Sequence, residues 1–275
     1  MYRGGAAAQF AREMEGYQLD ILGISECRWT GAGRIKMASG QKLIYSGDNE
    51  LHEGGVAIMI SQEAEKSPME WTPIITTRFY SRCRRLTIIQ VYAVHNERED
   101  EEKEQFYQEL QEAVDGCKKN DIIIVMGDLN AKVGNDNQWY ERTMGVQGLR
   151  KQNDNGEIFS EFCQLNGLAT AGTLFPYKDI HKATRVAADG GVRNQTDHLL
   201  ISGQWRSFVL DCRVQRGADA SSENFLVRTR IKLRLSSHRN NSKVKPRLAV
   251  ERLCDKETRK KSCERVRGKV EETRS

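Results

Sequence analysis

Asp128 and Asn130 close the run Ile122-Ile123-Ile124-Val125-Met126-Gly127-Asp128-Leu129-Asn130, and their types and spacing suggest chemistry. A β-branched apolar run of this kind reads as a fully buried strand, and Gly127 is expected to end it just before the carboxylate. Both side chains then stand at the rim of a sheet, where α/β proteins collect ligands. A carboxylate and a carboxamide in that place suit a hard divalent cation or a phosphate-bound water. The same residues also fit a strand that closes in a plain Asx turn. Three more polar groups fall at or near expected strand ends: Glu26, Tyr92 and Asp197. Each has an ordinary reading too, as a surface carboxylate, a core aromatic with its hydroxyl at the edge, and a strand-end cap.

The elements that must position these groups are readable from hydrophobic spacing. Phe10, Met14 and Tyr17 recur at helical intervals, which predicts a helix over 6–17 with one buried face. Residues 19–24 read as a buried strand that delivers Ser25 and Glu26, and 56–60 and 85–94 as further strands. The charge run at 96–104 precedes Phe106, Leu110 and Val114 at four-residue steps, so it is the solvated start of a helix. Asn153, Asp154 and Asn155 offer capping oxygens for a helix that carries Ile158, Phe162 and Leu165 inward. Strands are expected again at 181–186, 194–202 and 208–214.

The last clear element is 225–235, where Phe225, Val227, Ile231, Leu233 and Leu235 alternate with Arg228, Arg230, Lys232 and Arg234. That period gives a strand with one buried and one basic face. Beyond Ser236 the composition turns to Ser, Asn, Lys, Arg and Glu, so residues 1–235 are expected to form one domain and 236–275 a basic, polar, partly helical or disordered tail. Many strands with helices between some of them favour a sheet sandwich flanked by helices over an open parallel sheet.

Composition excludes several classes. With 275 residues the chain can bury a full core, and no apolar run is long enough to cross a bilayer. Residues 1–15 contain no hydrophobic stretch followed by a cleavage site, so no export signal is expected. The seven cysteines form no C-x-x-C pair and are odd in number, which suits free thiols better than a disulfide framework or a zinc site. A net charge of +5 permits a polyanionic partner without demanding one.

Taken together, the segments 19–26, 89–93, 126–130 and 194–202 resemble successive motifs of the endonuclease/exonuclease/phosphatase family. They are most similar to the apurinic-type endonuclease domain of RTE-class non-LTR retrotransposons and to the craniofacial development protein 2-like proteins. Arg28-Trp29-Thr30-Gly31, Asn155-Gly156-Glu157, Gly172-Thr173-Leu174-Phe175-Pro176 and His181-Lys182-Ala183-Thr184 add to the likeness, which runs in order to Leu235.

The resemblance implies a four-layer α/β sandwich, two packed mixed β-sheets flanked by helices, that nicks double-stranded DNA using Mg²⁺ or Mn²⁺. It also implies an intracellular, nuclear protein with no membrane association. By the same resemblance Glu26 binds the metal, Tyr92 places its phenol near the scissile phosphate, Asp128 orients or deprotonates the attacking water and Asn130 holds it. Asp197 in the family pairs with a histidine near the domain's end.

Here the sequence departs from the pattern. Ser-Asp-His of the family corresponds to Ser222-Glu223-Asn224. Asn224 carries no exchangeable protonation state, and losing a general acid or base costs on the order of 10²- to 10⁴-fold in rate. Glu223 keeps the charge but adds a methylene, which displaces a carboxylate that must be held closely. The family's first strand, which carries an asparagine, has no counterpart in Met1 to Gly5. His198 follows Asp197 on a strand and is expected to face away from it as a packed or surface histidine.

The function expected is therefore a retrotransposon-derived DNA endonuclease with an impaired site. A non-catalytic relic that binds nucleic acid or a protein partner is the alternative, and a small-substrate phosphatase is the weakest reading. The face formed by Arg228, Arg230, Lys232 and Arg234 suits phosphate contact, and equally suits solubility and edge protection.

Overall fold

The computed structural model describes residues 5–52, 54–62, 64, 74–80, 84–149, 151–186, 193–218 and 224–233. The chain divides into units Met1–His238 and Arg239–Ser275, and every described residue belongs to the first.

Helix α1 (Ala6–Gly16) leads into β1 (Ile21–Ser25), followed by β2 (Ala32–Lys36), β3 (Lys42–Ser46) and β4 (Val56–Ile60). These strands form an antiparallel four-stranded sheet in the order β1-β4-β3-β2. Next come β5 (Ile75–Tyr80), β6 (Arg85–Tyr92), α2 (Asp100–Asp115), β7 (Ile122–Asp128), α3 (Asp154–Leu165) and β8 (Leu168–Thr170). Short strands β9 (Arg185–Val186) and β10 (Arg193–Asn194) pair with each other ahead of β11 (Asp197–Ser202). The second sheet has the order β5-β6-β7-β11-β8, parallel only between β6 and β7. Parallel neighbours need a long crossover, and α2 supplies it. The final elements, β12 (Val209–Gln215) and β13 (Leu226–Ile231), form an antiparallel pair.

Alternation along the strands builds the layers. On β4, Val56, Ile58 and Ile60 meet Ile75, Ile88 and Ile124 of the five-stranded sheet, while Ala57 and Met59 face α1 through Ala11 and Met14. On β6 and β7, Ile89, Val91 and Val125 turn the other way onto Phe106 and Leu110 of α2 and Phe159 and Phe162 of α3. The result is helix, sheet, sheet, helices: the layered α/β sandwich that the sequence predicts. Burying each such side chain contributes roughly 1.5–3 kcal/mol, so the inter-sheet core is the main source of stability.

Several boundaries differ from expectation. The central strand β7 runs through Gly127 to Asp128. Gly127 has φ +147°, and a Cβ there would fall 1.9 Å from the Val91 carbonyl oxygen, so the glycine admits close backbone approach without ending the strand. Helix α3 is capped by Asn153, which accepts from the Gly156 N–H, but its buried face is Phe159, Phe162 and Cys163, and Leu165 is 85 % exposed. Residues 181–186 form only a short 3₁₀ turn and the two-residue β9. Strands β2, β3, β5 and β8 were not anticipated: they are short, or interrupted by polar and charged residues.

Candidate active site

The ladder registers place the predicted side chains in one row. Tyr92 on β6 is the parallel partner of Asp128 on β7, and Asp128 is the antiparallel partner of Asp197 on β11. Three strands therefore bring three polar residues to neighbouring positions at one end of the sheet. Asn224, just before β13, completes the group: its Nδ2 donates to Asp128 Oδ2 at 3.0 Å and to Asp197 Oδ1 at 3.2 Å. The other oxygen of Asp128, Oδ1, accepts from the Asn130 backbone N–H at 3.0 Å. Asn130 has φ +48°, a left-handed turn that asparagine tolerates, and its side chain donates to the Ala93 carbonyl at 2.8 Å.

Two polar residues to which the sequence reading gave no role hold this row in place. Ser25 Oγ donates to the Val91 carbonyl and accepts from the Asp128 backbone N–H at 3.0 Å, joining β1 of one sheet to β6 and β7 of the other. Thr184 Oγ1 accepts from the N–H groups of Thr196 and Asp197. A third is Gln90, fully buried, whose Nε2 donates to Ser25 Oγ at 3.2 Å. It was recognisable as a lone long polar residue in an apolar strand. His198 is buried, the packed one of the two placements expected for it, its Nε2 2.7 Å from the Ala131 carbonyl and its ring 4.9 Å from that of Phe159.

Electrostatics distinguish the members of the row. Burial, and then the charge of Asp128, push the Asp197 carboxyl up to about 8, against the opposing hydrogen bonds of Thr184 and Asn224. Burial also raises the Tyr92 phenol to about 12, with the charges of Glu26 and Asp128 adding and those of Arg28 and Arg185 opposing. Tyr92 Oη lies 3.2 Å from His95 Nε2.

Glu26 acts on this row through its charge on Tyr92. It is exposed, at φ +53°, and its carboxylate is gripped by the Arg28 guanidinium. Among the described residues no group of three or more His, Cys, Asp or Glu side chains converges as a metal set. The expected Mg²⁺ or Mn²⁺ is therefore corrected: the residues present do not fit it. A hard cation needs several charged oxygens. Here the Glu26 carboxylate already accepts from Arg28, and both oxygens of Asp128 and one of Asp197 already accept hydrogen bonds.

On β13, Arg230 is exposed and Arg228 half-buried, and Lys232 beyond it is exposed, while Val227, Ile231 and Leu233 pack on the core. Glu223 and Arg234 lie outside the described residues. Among the described residues no helix is long and apolar enough to cross a membrane. Cys27, Cys117, Cys163 and Cys212 are free thiols.

Residues 3–237 match the model of the Endonuclease/Exonuclease/phosphatase family. The chain belongs to that family. Craniofacial development protein 2 of Bos taurus is 34% identical over 228 residues, 82% of this chain and 38% of that protein. Its counterpart in Tragulus javanicus is 33% identical over the same length. The chain thus spans under two-fifths of the length of the curated relatives it matches. Among solved structures, the endonuclease domain of TRAS1, a telomere-specific non-LTR retrotransposon, superposes with a TM-score of 0.59 at 15% identity, covering 84% of this chain and 94% of that one. The Xenopus laevis APE2 catalytic domain gives 0.64 at 14% identity, covering 86% and 90%. These last two are likenesses of fold.

Proposed function

We propose that this chain is an endonuclease-type domain of RTE-class non-LTR retrotransposon ancestry. In this reading it engages the backbone of double-stranded DNA in the nucleus without cutting it efficiently. The observation that carries the proposal is Asn224, whose single carboxamide donates to both Asp128 and Asp197. Phosphodiester hydrolysis requires a water to lose a proton and a leaving alkoxide to be stabilised, so groups around the phosphate must change charge during the reaction. Asn224 cannot do so, and it turns the oxygens of its neighbours toward itself. Backbone binding has no such requirement. Arg228, Arg230 and Lys232 supply a cationic strand face, and Arg28 and Arg185 bring positive charge beside Tyr92. Glu223 and Arg234 enter this proposal by sequence alone, and the domain limit at Leu235 is part of it.

The test combines cutting and binding. Supercoiled plasmid is incubated with the purified chain, with and without EDTA, while a gel shift is run over a salt series. The expected result is retarded DNA, no nicked circles in either buffer, and affinity that falls steeply with salt. Nicking by the parent chain that disappears in Asp128→Asn overturns the reading. So does failure of a cooperatively melting chain to bind DNA at low salt.

A further inference from the structure

At the end of the five-stranded sheet opposite the polar row, three connections gather charge of one sign. The registers place Leu86 beside Ile122 at the start of β6 and β7, and Tyr92 beside Asp128 at their close. Ile201, near the close of β11, pairs with Ile124. Residues 84–85, 117–121 and 203–208 therefore share the far end, about 20 Å from the row at roughly 3.3 Å per residue. Arg84, Arg85, Lys118, Lys119 and Arg206 stand there, each of them exposed. The acidic groups beside these lysines are Asp115, where α2 ends, and Asp121. Asp121 is already engaged: Arg78 donates to both of its oxygens, and Thr87 Oγ1 donates to one at 2.9 Å.

The arginines are seated on aromatic rings. The Arg84 guanidinium lies over the Trp205 ring, 5.6 Å from its centre, and Arg85 lies over Tyr80 at 5.4 Å. The rings are themselves held: Trp205 meets Phe208 edge-on at 5.0 Å and packs on the inter-sheet core, and Tyr80 is the ladder partner of Arg85. Arg206, next to Trp205, donates to the Arg142 carbonyl at 3.3 Å. The charge of Arg85 bears on Asp121, whose N–H donates to the Lys118 carbonyl at 2.8 Å, so this arginine and the lysine turn are neighbours. A guanidinium resting on a ring has its plane fixed, and its donors lie in that plane. Solubility alone calls for both signs interspersed over a surface. One sign, gathered and partly fixed in direction, suits a ligand with many acceptor oxygens.

We infer that this end of the sheet is a second nucleic-acid contact, which grips the phosphodiester backbone through Arg84, Arg85, Lys118, Lys119 and Arg206. A nucleic-acid strand presents a negative charge every few ångströms, and planar guanidinium forks match the phosphate oxygens. The aromatic rings are occupied by the arginines, so the contact reads backbone and not bases. It goes beyond the DNA contact proposed at the polar row and does not rest on it, because it lies at the other end of the same strands.

The test is a lysine footprint. The intact chain is acetylated by a water-soluble active ester, alone and with a short DNA duplex, single-stranded RNA or phosphatidylserine vesicles in separate arms, and each lysine is read by mass spectrometry. The expected result is that a nucleic-acid arm slows modification of Lys118 and Lys119 by roughly fivefold or more, and that added salt reverses it. The same protection should persist in Arg228→Gln with Arg230→Gln. Arg85→Gln with Lys118→Gln and Lys119→Gln should leave the melt unchanged and lower the log–log salt slope by about 2–3. Arg84→Lys with Arg85→Lys keeps the charge and loses the seated planes, and should weaken binding roughly threefold or more at fixed salt. Lysines 118 and 119 that react equally with and without nucleic acid overturn the inference, as does protection by vesicles alone. Protection that disappears in Arg228→Gln with Arg230→Gln also overturns it, because both ends then belong to one continuous contact. Equal affinity of the double lysine variant removes the seated guanidiniums and with them the proposal. Protection of Lys118 and Lys119 while Lys232 stays reactive upholds this contact and refutes the one at the polar row; the reverse pattern does the opposite.

Discussion

The two sides of the polar row differ in how completely their strands are partnered. Toward the middle of the five-stranded sheet, β6, β7 and β11 each have a neighbour on both edges, and Tyr92, Asp128 and Asp197 sit at fixed ladder positions. Toward β1 and β13, two strands face a common cleft with one described partner each. The apolar faces of β6 and β7 are covered largely by β4 on one side and by α2 and α3 on the other, while Met126 and Leu199 border the cleft. Position and reactivity are thus separable. The sheet holds the carboxylates in register, while the residue between them is Asn224.

The sharpest test of this contrast is a pair of truncations. Ile124→Ala, at a fully covered position, should cost roughly 2–5 kcal/mol in urea unfolding. Val227→Ala, beside the cleft, should cost less than half as much, and equal losses would break the distinction. Gly127→Ala tests the backbone approach of β7 to β6. Its Cβ would meet the Val91 carbonyl at a positive φ, and a loss of about 1–3 kcal/mol is expected.

The row itself is sensitive to pH, with a definite sign. Asp197 has a folded-state value of about 8, above the ordinary carboxylate range, so the protonated form is favoured by folding. Its contribution is fully present below about pH 4 and is lost as the pH rises through about 8. The urea midpoint of the parent should fall between pH 5 and pH 9 by more than that of Asp197→Asn, and parallel curves would remove the claim. The smallest stability effect is expected on the basic strand face. Arg230→Ala with Lys232→Ala should change stability by about 0.5 kcal/mol or less, yet reduce the log–log salt slope of DNA binding by about 1–2.

Much of the layered fold was legible because β4, β6 and β7 are continuous apolar runs and α1 and α2 repeat at helical spacing. The polar row was legible as positions, since strand ends are readable, though neither the register nor the hydrogen bonds that fill Asp128 are. What failed did so for tertiary reasons. Leu165 fits the helical pattern but lies outside the face of Phe159, Phe162 and Cys163 that α3 buries. The metal set failed because no three His, Cys, Asp or Glu side chains converge among the described residues, and convergence is not a property of spacing. Gln90 stands out as a long polar residue in an apolar strand, but its meeting with Ser25 of the other sheet is not a local pattern.

Ser25 has a consequence of its own. One hydroxyl, acting as donor to Val91 and acceptor from Asp128 and Gln90, works as a rivet between layers that adhere elsewhere largely through greasy contact. Grease tolerates sliding, whereas a rivet fixes the offset of one plate over the other. The spacing between the tip of β1 and the end of β7 is therefore set by a single oxygen atom, and loosening it would let the two plates drift while each remained whole.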